Sequence, residues 1–165
     1  MTVGSVLPLL TLLLQAVPLP HAEIWFDAKA SVADFQGRTT VATGTLHWVE
    51  VRWQDIDTKN GTRNRHMLKT VDAEHFPIIR FDLAGATGDT GQVRLRGTLT
   101  LHGVSHPVEW PAVVHGGPDS VTVAADFPVD MRDYGIKPPV KFVIARMGPV
   151  VQVHVRLVFM RGGAP

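Results

Sequence analysis

Gln92-Val93-Arg94-Leu95-Arg96-Gly97-Thr98-Leu99-Thr100-Leu101, followed by His102-Gly103, is the stretch that decides the fold. Val93, Leu95, Leu99 and Leu101 fall on one side of an extended chain, and Arg94, Arg96, Thr98 and Thr100 on the other. That alternation belongs to a strand with one dry and one wetter face. Gly97 stands in the dry row, where a strand bends or another chain comes close. His102-Gly103 then reads as a turn.

The same period recurs on both sides of this stretch. Ile24, Phe26, Ala28 and Ala30 alternate with Trp25, Asp27, Lys29 and Ser31. Val121, Val123, Ala125, Phe127, Val129 and Met131 form a second long row, and Val151, Val153, Val155, Leu157 and Phe159 a last one, opposite Gln152, His154 and Arg156. Between Leu46 and Trp53 the phase is mixed, which either a bulge or burial on both faces accommodates. One segment departs from the pattern: after Asn60-Gly61, residues Thr62 to Lys69 favour a helix, with Thr62 as candidate cap and a stop near Phe76-Pro77. Turn signals at Asp89-Thr90-Gly91, Gly116-Gly117-Pro118 and Pro138-Pro139 cut the remainder into short strands. The expectation is an all-β antiparallel barrel of about eight strands with a short helical crossover near residues 62–75. A barrel of that size holds either side chains or one slender ligand, and the pattern leaves both open.

Composition narrows the function. A chain of 165 residues fits one domain. Sixteen basic and fifteen acidic side chains project no strong field toward nucleic acid or an anionic surface. Cysteine is absent, so packing rather than disulfides must hold the fold. Met1 to Ala22 carry no Asp, Glu, Lys or Arg, and the Leu-rich run from Val6 to Leu19 is shorter than the roughly 20 residues of a membrane span. Residues 1–22 are therefore expected to be a signal peptide and 23–165 an exported domain, periplasmic or secreted, with no stable membrane span once the signal is removed.

No nucleophile elbow, phosphate loop, dinucleotide fingerprint or His-Glu-x-x-His is present. His102 and His106 flank a turn, and a metal there would need His66 or Glu109 as well; the spacing is too weak to assign one. Asp130, Arg132 and Asp133 read as a strand-end ion pair before they read as a catalytic cluster. Asp57, Arg63 and His66 support two readings: a polar network pinning the crossover to the rim, or a headgroup site bonding a phosphate or phenolic oxygen. Trp25, Trp48, Trp53 and Trp110 could serve at a mouth or in packing.

Asp57 to Leu68, Phe76-Pro77-Ile78-Ile79-Arg80-Phe81, Gly97 to Val104, and Phe127 to Gly135 resemble, in order and spacing, the motifs of the YceI family. The resemblance implies an extended lipocalin-like barrel, periplasmic or secreted, with an elongated apolar cavity for a polyisoprenoid chain. Two positions depart from it. Asn64 stands where many members carry an acidic residue, and Ala30-Ser31 where many have His before Ser.

The sequence thus leads to non-catalytic binding or transport of an isoprenoid lipid, a polyprenyl chain or quinone precursor, with no other cofactor and no metal. Headgroup or rim contacts are expected from Asp57, Arg63, His66 and His102, and an apolar lining from Phe26, Phe81, Leu95, Leu99, Val123, Phe127, Met131, Val153 and Leu157. Two alternatives stand beside this: a filled barrel serving stress response or protein interaction, and an enzyme using Asp57, Arg63 and His66 as an acid–base group. A homodimer is compatible with the sequence.

Overall fold

The structure, a computed structural model, describes residues 17–89, 91–138, 140–141 and 145–161. Most of the expected signal segment lies outside these residues. In chain order the strands are β1 (His21–Ala30), β2 (Phe35–Thr39), β3 (Thr43–Thr45), β4 (Trp48–Arg52), β5 (Ile78–Asp89), β6 (Gln92–Leu101), β7 (Val104–Gly116), β8 (Ser120–Asp130), β9 (Val140–Lys141) and β10 (Ala145–Met160). One helix, α1 (Gly61–Thr70), joins β4 to β5, and 3₁₀ turns occupy Trp53–Asp55 and Met131–Tyr134. The end of the expected signal segment at Ala22 falls inside β1.

Nine strands follow the hydrogen-bonded path β2-β1-β10-β8-β7-β6-β5-β4-β3, while β9 pairs with the start of β10. The two ends of that path, β2 and β3, are consecutive in the chain and separated only by residues 40–42. So short a link forces the sheet to curl until its ends meet. The residues before β1 complete the turn: Leu19 N donates to Ala42 O and Gly44 N to Val17 O, both at 2.9 Å. Such closure covers strand edges that would otherwise be open to other chains.

The period-two rows become the inner wall. Along β8 the residues Val121, Val123, Ala125, Phe127 and Val129 face inward, as do Val151, Val153, Val155, Leu157 and Phe159 along β10. The β6–β7 turn is His102-Gly103, with φ of 51° and 70°, the left-handed pair that a two-residue hairpin with matching twist requires. Gly97 has a different role. A β-carbon there would collide with the Asp82 carbonyl oxygen and lie 2.6 Å from two carbons of the Phe81 ring. The missing side chain is the seat on which that ring lies, and β5 shifts register opposite it, between Leu83 and Gly85.

Two local expectations change. The mixed phase at 46–53 is neither a bulge nor two-sided burial: Leu46-His47 is the turn of the β3–β4 hairpin, and Trp53 has left the strand for a 3₁₀ turn. Along β4, Trp48, Val49 and Val51 border the lumen, while Glu50 and Arg52 lie outside its lining. The helix begins earlier than Thr62. Asn60, in extended backbone, caps it by accepting from Arg63 N at 2.9 Å, because its short side chain reaches the free amides of the first turn.

The outer face of β2-β1-β10-β8 carries a polar strut. His154 bonds Asp126 Oδ1 through Nδ1 at 2.6 Å and Asp27 Oδ2 through Nε2 at 2.9 Å, and its ring stacks on Trp25 at 4.9 Å. Arg38 and Arg156 lie over the same indole, 5.0 and 5.4 Å from its centre. Gln36 is the main influence holding the Asp27 carboxyl below its ordinary 3.8; lost hydration opposes it and His154 reinforces it. For Asp126, burial pushes upward, but bonds from Arg156 and His154 more than offset it and leave the carboxyl lowered. Depressed carboxyls contribute stability above their unfolded pKa and lose it as pH falls through the folded one. The strut's contribution should therefore be unchanged from neutral pH down to about pH 5 and be lost below about pH 4. With the two side chains 44% and 54% exposed, screening limits each contribution to about 0.5 kcal/mol. Denaturant titrations at successive pH values should show a shallower acid limb in Asp27→Asn/Asp126→Asn; an unchanged limb would exclude the strut as its source.

Candidate functional site

The curled sheet surrounds a hollow lumen of about 740 Å³. That volume lies within the roughly 300–1,000 Å³ of pockets that bury most of a small ligand. All nine side chains expected to line a cavity border it: Phe26 from β1, Phe81 from β5, Leu95 and Leu99 from β6, Val123 and Phe127 from β8, Met131 from the turn beyond, and Val153 and Leu157 from β10. Aromatic rings pave one side. Trp110 of β7 stacks on Phe127 with centres 3.6 Å apart and planes 10° from parallel, and Phe81 of β5 stacks on the same indole at 5.4 Å. The other tryptophans also border the lumen: Trp53 is buried, Trp25 stacks as well on His154 of the outer strut, and Trp48 lies under Arg80 at 4.7 Å.

One end of the barrel is built from α1, the turn 131–134 and the His102-Gly103 hairpin. The chain reaches it through Arg38 and Asp57, whose backbones exchange hydrogen bonds of 2.9 and 2.8 Å. From there Thr58 and Asn60 lead into α1. Arg63, His66, Met67 and Thr70, spaced as one face of a helix, all border the lumen. Arg63 donates through Nη1 to Thr58 O at 3.1 Å, and its guanidinium lies 4.6 Å from the centre of the Phe35 ring. Thr70 Oγ1 donates to His66 O at 2.8 Å.

The four residues expected at a headgroup separate into two pairs. Arg63 and His66 border the lumen, whereas Asp57 and His102 do not. Asp57 is exposed, and its carboxylate accepts from Asn64 Nδ2 at 2.9 Å and Lys59 N at 3.0 Å. Its pKa is lowered, chiefly by Asn64. Asn64 meanwhile accepts from Thr58 N and Thr58 Oγ1 at 2.9 and 2.6 Å, so it ties the entry of the helix together. An acidic residue at 64 would oppose a second carboxylate to Asp57; the amide replaces that repulsion with a bond.

His102 Nδ1 meets Tyr134 O at 3.0 Å and its ring packs edge-on against Phe76. His106 Nε2 meets Asp133 O at 2.6 Å. Both histidines thus clamp the 3₁₀ turn to the hairpin, and among the described residues no cluster of three metal-binding side chains occurs. Asp130 and Arg132 pair at 2.6 Å, and Asp130 Oδ1 also caps the turn through Arg132 N. Sequence reasoning did not single out Met67, Thr70, His47 or Arg146, all of which border the lumen. The helical spacing from Arg63 would have found the first two. Arg146 stands at the start of β10, where no periodic signal marks it.

The sequence matches the YceI-like domain over residues 17–159. Among solved structures, Burkholderia cenocepacia BcnA is similar with a TM-score of 0.69 and 13% identity, over 83% of this chain and 95% of that one. A Campylobacter jejuni YCEI protein is similar with a TM-score of 0.55 and 14% identity, over 82% and 81%. At these identities the structures support the fold alone. No curated protein matches in sequence. With the match covering almost the whole described chain, this protein belongs to the YceI-like family.

Proposed function

We propose that the protein binds an apolar isoprenoid lipid, a polyprenyl chain or quinone precursor, in the periplasm or outside the cell, and carries it without making or breaking a bond. The observation that carries this reading is the hollow, aliphatic and aromatic lumen of about 740 Å³. A barrel acting only as an interaction module has no use for such a void, because an unfilled cavity forfeits packing contacts. Each methylene removed from water contributes about 0.8 kcal/mol, so several isoprene units bind tightly on burial alone. The enzymatic alternative is weakened by the position of Asp57, which faces away from the lumen with its carboxylate held by Asn64 and Lys59.

Protein purified without detergent and extracted with organic solvent should release a stoichiometric isoprenoid detectable by mass spectrometry. An empty extract, together with failure to take up added polyprenol, would remove this reading. Turnover of an isoprenoid quinone or lipid phosphate, abolished in His66→Ala, would replace it with the enzymatic one.

A further inference from the structure

Residues 17–22, which the sequence alone groups with the leader, are built into the barrel. Val17 to Leu19 run along the outer edge of β3, the last strand of the nine-strand path: Pro18 bridges to Thr43, Gly44 N donates to Val17 O, and Leu19 N donates to Ala42 O. Leu19 packs against the core. Ala22 is 3% exposed and pairs with Leu157, while His21 pairs with Val158. Without this segment β1 would lose its first two rungs with β10, and β3 would present an open edge. The YceI-like match begins at the same residue, Val17.

The peptidase that removes an export leader needs a small side chain just before the bond it cuts. Two alanines meet that need, Ala22 ahead of Glu23 and Ala16 ahead of Val17. Neither has a small residue two places earlier, where Pro20 and Leu14 stand, so the cleavage pattern does not choose between them. The fold does. A cut after Ala22 would discard the seam and leave a new ammonium group inside β1, on Glu23, whose partner across the ladder is Arg156. A cut after Ala16 would keep the seam and leave the ammonium on Val17, which is 57% exposed and open to hydration. The run from Val6 to Leu14 ahead of that bond is long enough for the apolar segment of a leader.

We propose that the exported protein is processed between Ala16 and Val17, and that residues 17–22 stay in the mature chain as the strap that closes the barrel. Hydrolysis of that amide by a leader peptidase takes up one water and leaves a carboxylate on Ala16 and an ammonium on Val17. The proposal rests on the export part of the functional reading and is independent of the ligand.

The full chain, carrying its own leader, is expressed in a Gram-negative bacterium and recovered separately from periplasm, medium and cytoplasm, and each fraction is measured intact by mass spectrometry. The exported protein should have the mass of residues 17–165. An exported mass beginning at any other residue, Glu23 or Met1 included, would overturn the proposal and leave export standing; full-length protein confined to the cytoplasm would overturn both. Leu19→Ala supplies a second readout, because a mature chain starting at Glu23 lacks that position altogether. In a chain that keeps the strap it should lower the melting temperature of the exported protein by about 3 °C. An unchanged melting temperature would remove the strap's role in closing the barrel.

Discussion

Gly97→Ala is expected to destabilise the barrel by about 3 kcal/mol, the upper end of what overpacking costs. The reason lies in what occupies the space. A β-carbon at 97 meets a main-chain oxygen, that of Asp82, as well as the Phe81 ring, so moving one flexible side chain cannot relieve it. Gly37 offers the contrast: there the obstruction is the tip of the Phe26 ring, with Ile56 next at 3.0 Å, and the ring can swing. Gly37→Ala should therefore cost less. Urea unfolding of the two variants would measure the difference, and Phe81→Leu added to Gly97→Ala should restore only part of the loss. A loss below about 0.5 kcal/mol for Gly97→Ala would show that β5 and β6 separate more easily than their register suggests.

The second large effect concerns the lumen. Ala125 is 4% exposed, borders the cavity from the middle of β8, and pairs with Ala112 on one side and Val155 on the other. Ala125→Phe places a ring where the proposed tail runs. Isoprenoid binding should fall at least 10-fold, equivalent to about 1.4 kcal/mol. Circular dichroism should remain that of a β protein, because the added ring enters void rather than packed side chains. Retained binding in a folded Ala125→Phe protein would place the lipid outside the barrel.

The parts of the fold that could be read from sequence are those where burial repeats. The rows on β6, β8 and β10 alternate without interruption because each strand has the lumen on one side and water on the other. Where a residue's environment depends on another strand, the sequence is silent. Trp25 and Trp110 are the same residue type in similar strands, yet one carries arginines outside the barrel and the other paves the lumen. The alternation puts Trp25 opposite the apolar row, but what each ring stacks on comes from strands distant in sequence, His154 for Trp25 and Phe127 for Trp110. The seam between Val17–Leu19 and Ala42–Gly44 carries no hydrophobic signature either, since it is made of main-chain bonds. Arg63 and His66 were legible as polar residues on a helix, but not their separation from Asp57, which follows from the cap at Asn60 and the amide of Asn64. Arg146 shows the same limit: a long charged side chain at a strand end reads as a solvated edge until the cavity beside it is known.

The position of β10 in the sheet has a consequence for how the chain is made. It is the last strand in sequence, yet it lies between β1 and β8 and runs for 16 residues. Until it emerges from the ribosome, β1 and β8 each have an unpaired edge, and the ring cannot close however long the earlier strands wait. Contacts joining residues 21–28 to residues 151–158 are about as distant in sequence as this chain allows, which makes closure slow relative to local pairing. A nascent chain of this design stays open until residues 145–160 have been made, and a protein cut short near residue 145 would expose two long strand edges to aggregation rather than form a smaller barrel.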